Sequence, residues 1–285
     1  MSFIKILILA IVQGVCELLP ISSSAHVIMA EKLMGLDPTL PEMTLLLVML
    51  HTGTMLAVIV YFWQSWKTRY FVSAKKFWQF VKLLTIATII TSFVGIVLML
   101  IIERVILRGT KHAEIEALFG NPYVIAAGLA TVGMMIILSS RKQATDKIRE
   151  IGVSDSIWIG FVQGICLPFR GFSRSGSTIS TGLFCGLEKV RVEEFSFALA
   201  IVLTPAVIVK ESYRLLTAHE VTLLATASLS NIIGPSLVGM FCSFFAGLIA
   251  LKWLSRWLEQ GRWSFFGYYC LLASGTVLII NHFLS

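Results

Sequence analysis

The stretch Val12-Gln13-Gly14-Val15-Cys16 returns 150 residues later as Val162-Gln163-Gly164-Ile165-Cys166. The first copy continues as ELLPISSSAH (Glu17 to His26), the second as LPFRGFSRSGST (Leu167 to Thr178). Each is apolar text that passes through Leu-Pro into a cluster of hydroxyl-bearing residues. What such clusters are doing inside apolar sequence decides the fold.

Hydrophobic residues make up 56% of the 285 and charged residues 14%, with a mean hydropathy of +0.84. Soluble domains do not show that balance. Apolar runs long enough to cross about 30 Å of hydrocarbon fall at 43–63, 83–102, 122–138, 195–209, 232–251 and 264–280. They predict six spanning helices, the fourth broken at Pro205, in one integral membrane domain covering 1–285.

The net charge of +7 does not point to nucleic acid, because the basic residues lie between apolar runs and form no single patch. Fourteen of them fall on one side of an alternating six-helix layout: Lys67, Arg69, Lys75, Lys76, Lys82, Arg141, Lys142, Lys147, Arg149, Lys189, Arg191, Lys252, Arg256 and Arg262. Seven fall on the other: Lys5, Lys32, Arg104, Arg108, Lys111, Lys210 and Arg214. The positive-inside rule makes the larger group cytoplasmic and leaves both termini outside. A bias of this size leaves a dual orientation open.

Both repeated stretches then enter the membrane and leave by the side they came from. Residues 3–36 precede the first span, and 154–188 join two cytoplasmic loops. The segments 156–169 and 178–187, of 14 and 10 residues, are too short to be spans of about 20. The expected fold is an all-α polytopic membrane protein built as an inverted-topology repeat. Each half, about 1–140 and about 152–285, is a re-entrant helical hairpin plus three transmembrane helices. An odd number of spans inverts the second half, so the two hairpin tips can meet near the bilayer centre. Irregular backbone at that depth must line a protein-walled cavity, a hallmark of substrate-binding membrane folds. A cleaved signal peptide is the rival for the N-terminus. Gln13 and Glu17 interrupt its apolar core, and the same pattern recurs in mid-chain.

The tips carry chemistry. Gln13 and Glu17, four apart, share a helix face, and Ser22, Ser23, Ser24 and His26 follow Pro20. The second tip offers Arg170, Ser173, Arg174, Ser175 and Thr178. Such groups at membrane depth are costly unless they bind something, and the set suits phosphate. Arg presents a planar fork of donors, and hydroxyls and exposed amides complete an anion cradle at a helix start. Thr178 is expected to begin the returning helix. Glu17 needs a divalent cation between itself and a phosphate, or a proton to move.

These residues resemble the undecaprenyl-diphosphate phosphatases of the bacitracin-resistance type. One signature is Glu-or-Gln, then Glu four residues on, Pro, a Ser/Thr-rich turn and His, matched by Gln13, Glu17, Pro20, Ser22–Ser24 and His26. The other is Pro-Gly-x-Ser-Arg-Ser-x-x-Thr, matched by Arg170 to Thr178, and Glu194-Phe195-Ser196-Phe197 also fits. Gln13 takes the amide option, and Arg170 stands where the signature has proline. The resemblance covers essentially the whole chain. It implies an enzyme that removes the terminal phosphate of a C55 polyprenyl diphosphate and so recycles the lipid carrier of cell-wall synthesis. The implied place is the outer side of the bacterial cytoplasmic membrane, and the implied cofactor is Mg2+ or Ca2+. Expected partners are the polyprenyl diphosphate and membrane lipid, with no nucleic acid; a homodimer is left open.

Within that reading Arg174, Ser173, Ser175 and Thr178 hold the diphosphate, with Arg170, Ser22 and Ser24 as further contacts. Glu17, with Gln13, is the metal ligand or base. Ser23 is the nucleophile candidate and His26 moves a proton; attack by water or by His26 stays open. A salt bridge to Glu17 is the duller role for Arg174, and helix capping the duller role for the serines. His51, inside a span, reads as a buried hydrogen-bonded group, with a role in the cleft as the alternative. Cys16, Cys166, Cys185, Cys242 and Cys270 lack metal-ligand spacing and read as packing residues. A transporter of a phosphate-bearing lipid or organic anion could use the same architecture.

Overall fold

Length sorts the helices into two kinds. The structure, a computed structural model, describes residues 2–37, 41–106, 121–142, 149–217 and 230–284. Two pairs of short helices, α1 (Phe3–Leu18) with α2 (Ser23–Leu33) and α6 (Val153–Cys166) with α7 (Arg174–Phe184), contain 16, 11, 14 and 11 residues. At 1.5 Å per residue even the longest reaches only about 24 Å, short of the hydrocarbon thickness. The others are α3 (Pro41–Arg69), α4 (Ala74–Ile101, prolonged by a π-helical turn at Ile102–Ile106), α5 (Pro122–Ser140), α8 (Lys189–Thr217), α9 (Ser230–Glu259) and α10 (Ser264–Leu284). No strand occurs among the described residues.

Five of these are long and apolar enough to cross a membrane: Met43–Arg69, Ala74–Arg104, Pro122–Ser140, Ile233–Glu259 and Ser264–Phe283. Their outer faces carry Phe93, Ile249 and Leu272, 66%, 69% and 74% exposed, side chains that hydrocarbon solvates and water would not. The chain is a multi-pass, all-α membrane protein. Of the six expected spans, 195–209 is not among the five found in the described residues. The expected break at Pro205 is also corrected: α8 runs unbroken through it for 29 residues. A missing N–H at a proline is tolerated in membrane helices where neighbouring groups satisfy the freed carbonyl.

Each short pair closes on itself. Lys5 Nζ donates to the Met34 carbonyl at 2.7 Å, tying the start of α1 to the end of α2. Arg149, just before α6, donates to the Cys185 carbonyl just after α7 at 3.0 Å. Each hairpin therefore enters and returns at one end of the bundle. The tips meet. Ser175 Oγ donates to the Leu19 carbonyl at 3.4 Å, and Cys270 Sγ reaches the Pro20 carbonyl. The packing is reciprocal: α1 lies against α9, a span of the second half, and α6 against α4, a span of the first.

The basic loops gather as the charge pattern predicts. Arg69, Lys76, Glu150 and Arg191 line one pocket, Lys142 donates to the Phe184 carbonyl, and Lys189 Nζ approaches Gly261. Arg108, Lys111 and Lys147 lie outside the described residues. The same end holds the Glu194-Phe195-Ser196-Phe197 motif as scaffold. Glu194, fully buried, accepts from Arg69 Nη1 at 3.0 Å, Tyr70 Oη at 3.4 Å and the Ser65 hydroxyl. Phe197 stacks on Phe62 with centroids 5.5 Å apart. Arg69→Ala strands a buried carboxylate and is expected to destabilise the fold by about 3 kcal/mol. Thermal unfolding in detergent should show a clear fall in Tm; an unchanged Tm would mean that Ser65 and Tyr70 suffice.

Candidate active site

Both tips present the start of a helix to the same space. Ser23 opens α2 and Arg174 opens α7. Ser22, the N-cap of α2, makes no side-chain cap bond, so the first-turn amides of α2 are left for another acceptor. Ser22 holds φ at 68°, a strained left-handed conformation for a non-glycine residue. In the second tip Gly171 sits at φ +92°, and a Cβ there would lie 2.2 Å from the Ile125 carbonyl oxygen. Only glycine lets that turn pass so close to α5.

Glu17 is the hub. Its Oε1 accepts from Arg174 Nη2 at 3.1 Å. Its Oε2 accepts from Ser23 Oγ at 2.7 Å and from Gln13 Nε2 at 3.2 Å. His51 Nε2 lies 3.9 Å from the same Oε2. Arg174 Nη1 is buried with no hydrogen-bond partner among the described residues, a cationic donor without an acceptor. Such groups are rare in folded chains unless a ligand supplies the acceptor.

The other expected residues are placed more variously. His26 donates from Nδ1 to the Ser22 carbonyl at 2.8 Å, so in the neutral ring Nε2 is the acceptor, and it takes the Tyr269 hydroxyl at 2.7 Å. The two rings stack 5.7 Å apart. Ser24 pairs with Ser22 at 3.3 Å. Ser173 caps α7 by accepting from the Gly176 amide at 3.3 Å and lies 3.4 Å from Ser175 Oγ. Thr178 does not begin the returning helix; α7 starts four residues earlier, at Arg174. Its hydroxyl meets Ser196 Oγ at 2.6 Å and the Arg174 carbonyl at 2.8 Å, so it ties α7 to α8 from within the fold. Arg170 is close enough to Glu31 on α2 to act on its charge. Of the cysteines read as packing residues, Cys16, Cys166 and Cys270 are buried and Cys185 and Cys242 partly so.

Three neighbours of the site were not legible as such. His51 keeps the expected hydrogen bond, to the Leu47 carbonyl at 2.8 Å, but is a third exposed and lies 3.9 Å from Glu17 Oε2, which favours the alternative of a role in the cleft. Its presence inside a span was the available signal. Tyr269 is one aromatic among many in a span, and Ser196 sits in an otherwise structural motif; nothing local marks either.

A divalent cation can be tested against these donors. No group of three His, Cys, Asp or Glu able to hold a metal occurs among the described residues. The tip offers one carboxylate, Glu17, and the amide oxygen of Gln13, whose nitrogen is the atom turned to Glu17. That set fits a hard cation when substrate oxygens complete the shell, the usual way Mg2+ is held beside phosphates.

A family model described as "Bacitracin resistance protein BacA" matches residues 6–276. The chain belongs to the BacA family. It is 56% identical over 281 residues to "Undecaprenyl-diphosphatase 2" of Acinetobacter baylyi, covering 98% of each chain. It is 32% identical to "Undecaprenyl-diphosphatase" of Rhodopirellula baltica, again over 98% of each. A protein of the same name from Korarchaeum cryptofilum is 31% identical, over 98% of this chain and 99% of its own. The BacA match runs from α1 to α10 and so includes both tips.

Proposed function

We propose that this chain hydrolyses undecaprenyl diphosphate to undecaprenyl phosphate and phosphate, recycling the lipid carrier of cell-wall synthesis. The carrying observation is Arg174. One of its nitrogens holds Glu17, and the other is buried without an acceptor among the described residues, beside a serine already bonded to that carboxylate. A diphosphate oxygen supplies the missing acceptor. Purified protein in detergent, given a C55 diphosphate and Mg2+, should release inorganic phosphate. No release at any pH or with any divalent ion would return the transporter reading, which the names of the BacA relatives do not favour.

In the mechanism, Arg174 and the open amides of α2 bind the terminal phosphate and offset the charge that builds on it, which is most of what phosphoryl transfer requires. Ser23 Oγ, 2.7 Å from Glu17 Oε2, gives its proton to that carboxylate and attacks the terminal phosphorus. An Oγ–P bond forms, the bridging P–O bond breaks, and undecaprenyl phosphate leaves with the electron pair. Glu17 passes that proton to the departing phosphate oxygen and so becomes a base again. It then takes a proton from water, which attacks the phosphoserine, and returns it to Ser23 Oγ as the O–P bond breaks and phosphate leaves. A divalent cation held by Glu17 and Gln13 would neutralise charge on the diphosphate oxygens. His26, with both ring nitrogens engaged, orients the tip through the Ser22 carbonyl. Tyr269→Phe removes one neutral hydrogen bond, worth about 0.5–1.5 kcal/mol, and is expected to lower kcat roughly three- to tenfold. A kcat equal to wild type would detach Tyr269 from the reaction.

We read the two halves as inverted repeats in the bacterial cytoplasmic membrane, with both termini outside and the site opening outward. The basic end of the bundle supports the cytoplasmic assignment of 64–82. Single cysteines at positions 67–76 should resist a membrane-impermeant reagent in intact cells. Labelling from outside would overturn that orientation, and labelling from both sides would mean a dual one.

A further inference from the structure

His51 is the group near the tips that the mechanism leaves unused. Its Nδ1 lies 2.8 Å from the Leu47 carbonyl. A carbonyl only accepts, so Nδ1 carries the proton and the neutral ring keeps its lone pair on Nε2. That lone pair faces Glu17 Oε2 at 3.9 Å, beyond any hydrogen bond. Two acceptors across such a gap repel unless Nε2 gains a proton or a metal cation lies between them; a cation would use both lone pairs at once. Two metal–ligand bonds of about 2.1 Å leave ligand atoms roughly 3 to 4 Å apart, depending on their angle. A backbone carbonyl on the far ring nitrogen is also the usual orientation of a metal-ligating histidine, because it fixes tautomer and ring plane.

The fold holds His51 in that register. A Cβ on Gly53, two residues on, would lie 2.3 Å from the Met240 carbonyl oxygen, so α3 and α9 touch backbone to backbone there. Ser243 of α9 donates to the Leu50 carbonyl at 3.0 Å, one residue before His51. The same α9 packs against α1, which carries Gln13 and Glu17. The charged group opposite, Arg174, sits on the other oxygen of Glu17. Oε2 accepts from Ser23 and Gln13, and a cation there would share it with Ser23 once the Gln13 amide turned its oxygen inward.

We propose that His51 Nε2 is a direct ligand of the divalent cation, completing with Glu17 Oε2 and the Gln13 amide oxygen a mixed nitrogen–oxygen site. The inference rests on the phosphatase reading for the cation's use but not for its binding. An imidazole in the set turns the site toward transition-metal dications and away from Ca2+, which takes oxygen ligands.

The test uses Mn2+ as the probe on the full chain in detergent, without substrate. Echo-detected electron paramagnetic resonance should show coupling of the bound Mn2+ to an imidazole nitrogen. His51→Gln, which keeps size and polarity, should abolish that coupling and weaken Mn2+ binding by about tenfold or more, since losing even an outer partner costs that much. Wild-type Mn2+ without nitrogen coupling overturns the proposal whether or not the variant folds. Coupling that survives in His51→Gln assigns the nitrogen elsewhere and overturns it too. If phosphate release fails while the nitrogen signal is present, the phosphatase reading is at fault and the ligand assignment stands.

Discussion

Arg174→Ala lowers kcat for phosphate release by about 10³- to 10⁵-fold, the range that an arginine supplied to a transferring phosphoryl group is worth. The expectation follows from two places where that guanidinium acts. Its Nη2 holds Glu17 Oε1 at 3.1 Å, and its Nη1 is a buried donor with no acceptor among the described residues. Alanine removes both, leaving the Glu17 carboxylate without its nearest cation and the incoming phosphate without its fork. Arg174→Lys restores the charge but not the fork, because an ammonium is a single point donor and cannot serve carboxylate and phosphate in two fixed directions. It should stay at least about 10²-fold below wild type. Near-normal turnover by either variant would show that Arg174 only joins the two hairpins.

Ser23→Ala comes second in size. Removing the hydroxyl takes away both the nucleophile and one of the groups bonded to Glu17 Oε2. Turnover should fall by about 10³-fold or more in kcat, with KM little changed, the pattern of a group used in the chemistry and not in holding substrate. A loss of only a few-fold would leave Ser23 as a ligand and give the attack to water. Glu17→Gln keeps the shape of the hub but neither its charge nor its basicity, and should match the serine variant in kcat. It should also weaken the contact to Arg174, so its KM is expected to rise as well.

Much of this was legible in the sequence, for identifiable physical reasons. The short paired helices followed from arithmetic: segments of 10 and 14 residues cannot cross the hydrocarbon, and each pair closes on itself through Lys5 and Arg149. The meeting of Glu17 with Arg174 followed from two polar tips with no other place to go at that depth. Helix starts were harder. Ser173, not the residue before Thr178, caps α7, because Ser-Arg-Ser-Gly-Ser-Thr offers several equally good caps and only tertiary contacts choose between them. The break expected at Pro205 does not occur, since a proline that stops a helix in water need not do so where neighbouring groups satisfy the freed carbonyl. His51 and Tyr269 were hidden for a different reason. They come from spans far along the chain, and no local spacing ties either to a hairpin tip.

Trapping the phosphorylated enzyme tests the central claim most directly. Protein mixed with C55 diphosphate carrying a labelled terminal phosphate, quenched within a turnover and mapped by mass spectrometry, should carry the label on Ser23. The same label should be absent from Arg174→Ala. Label on His26, or no covalent label while phosphate is still released, would contradict an attack by Ser23 from the oxygen that Glu17 holds.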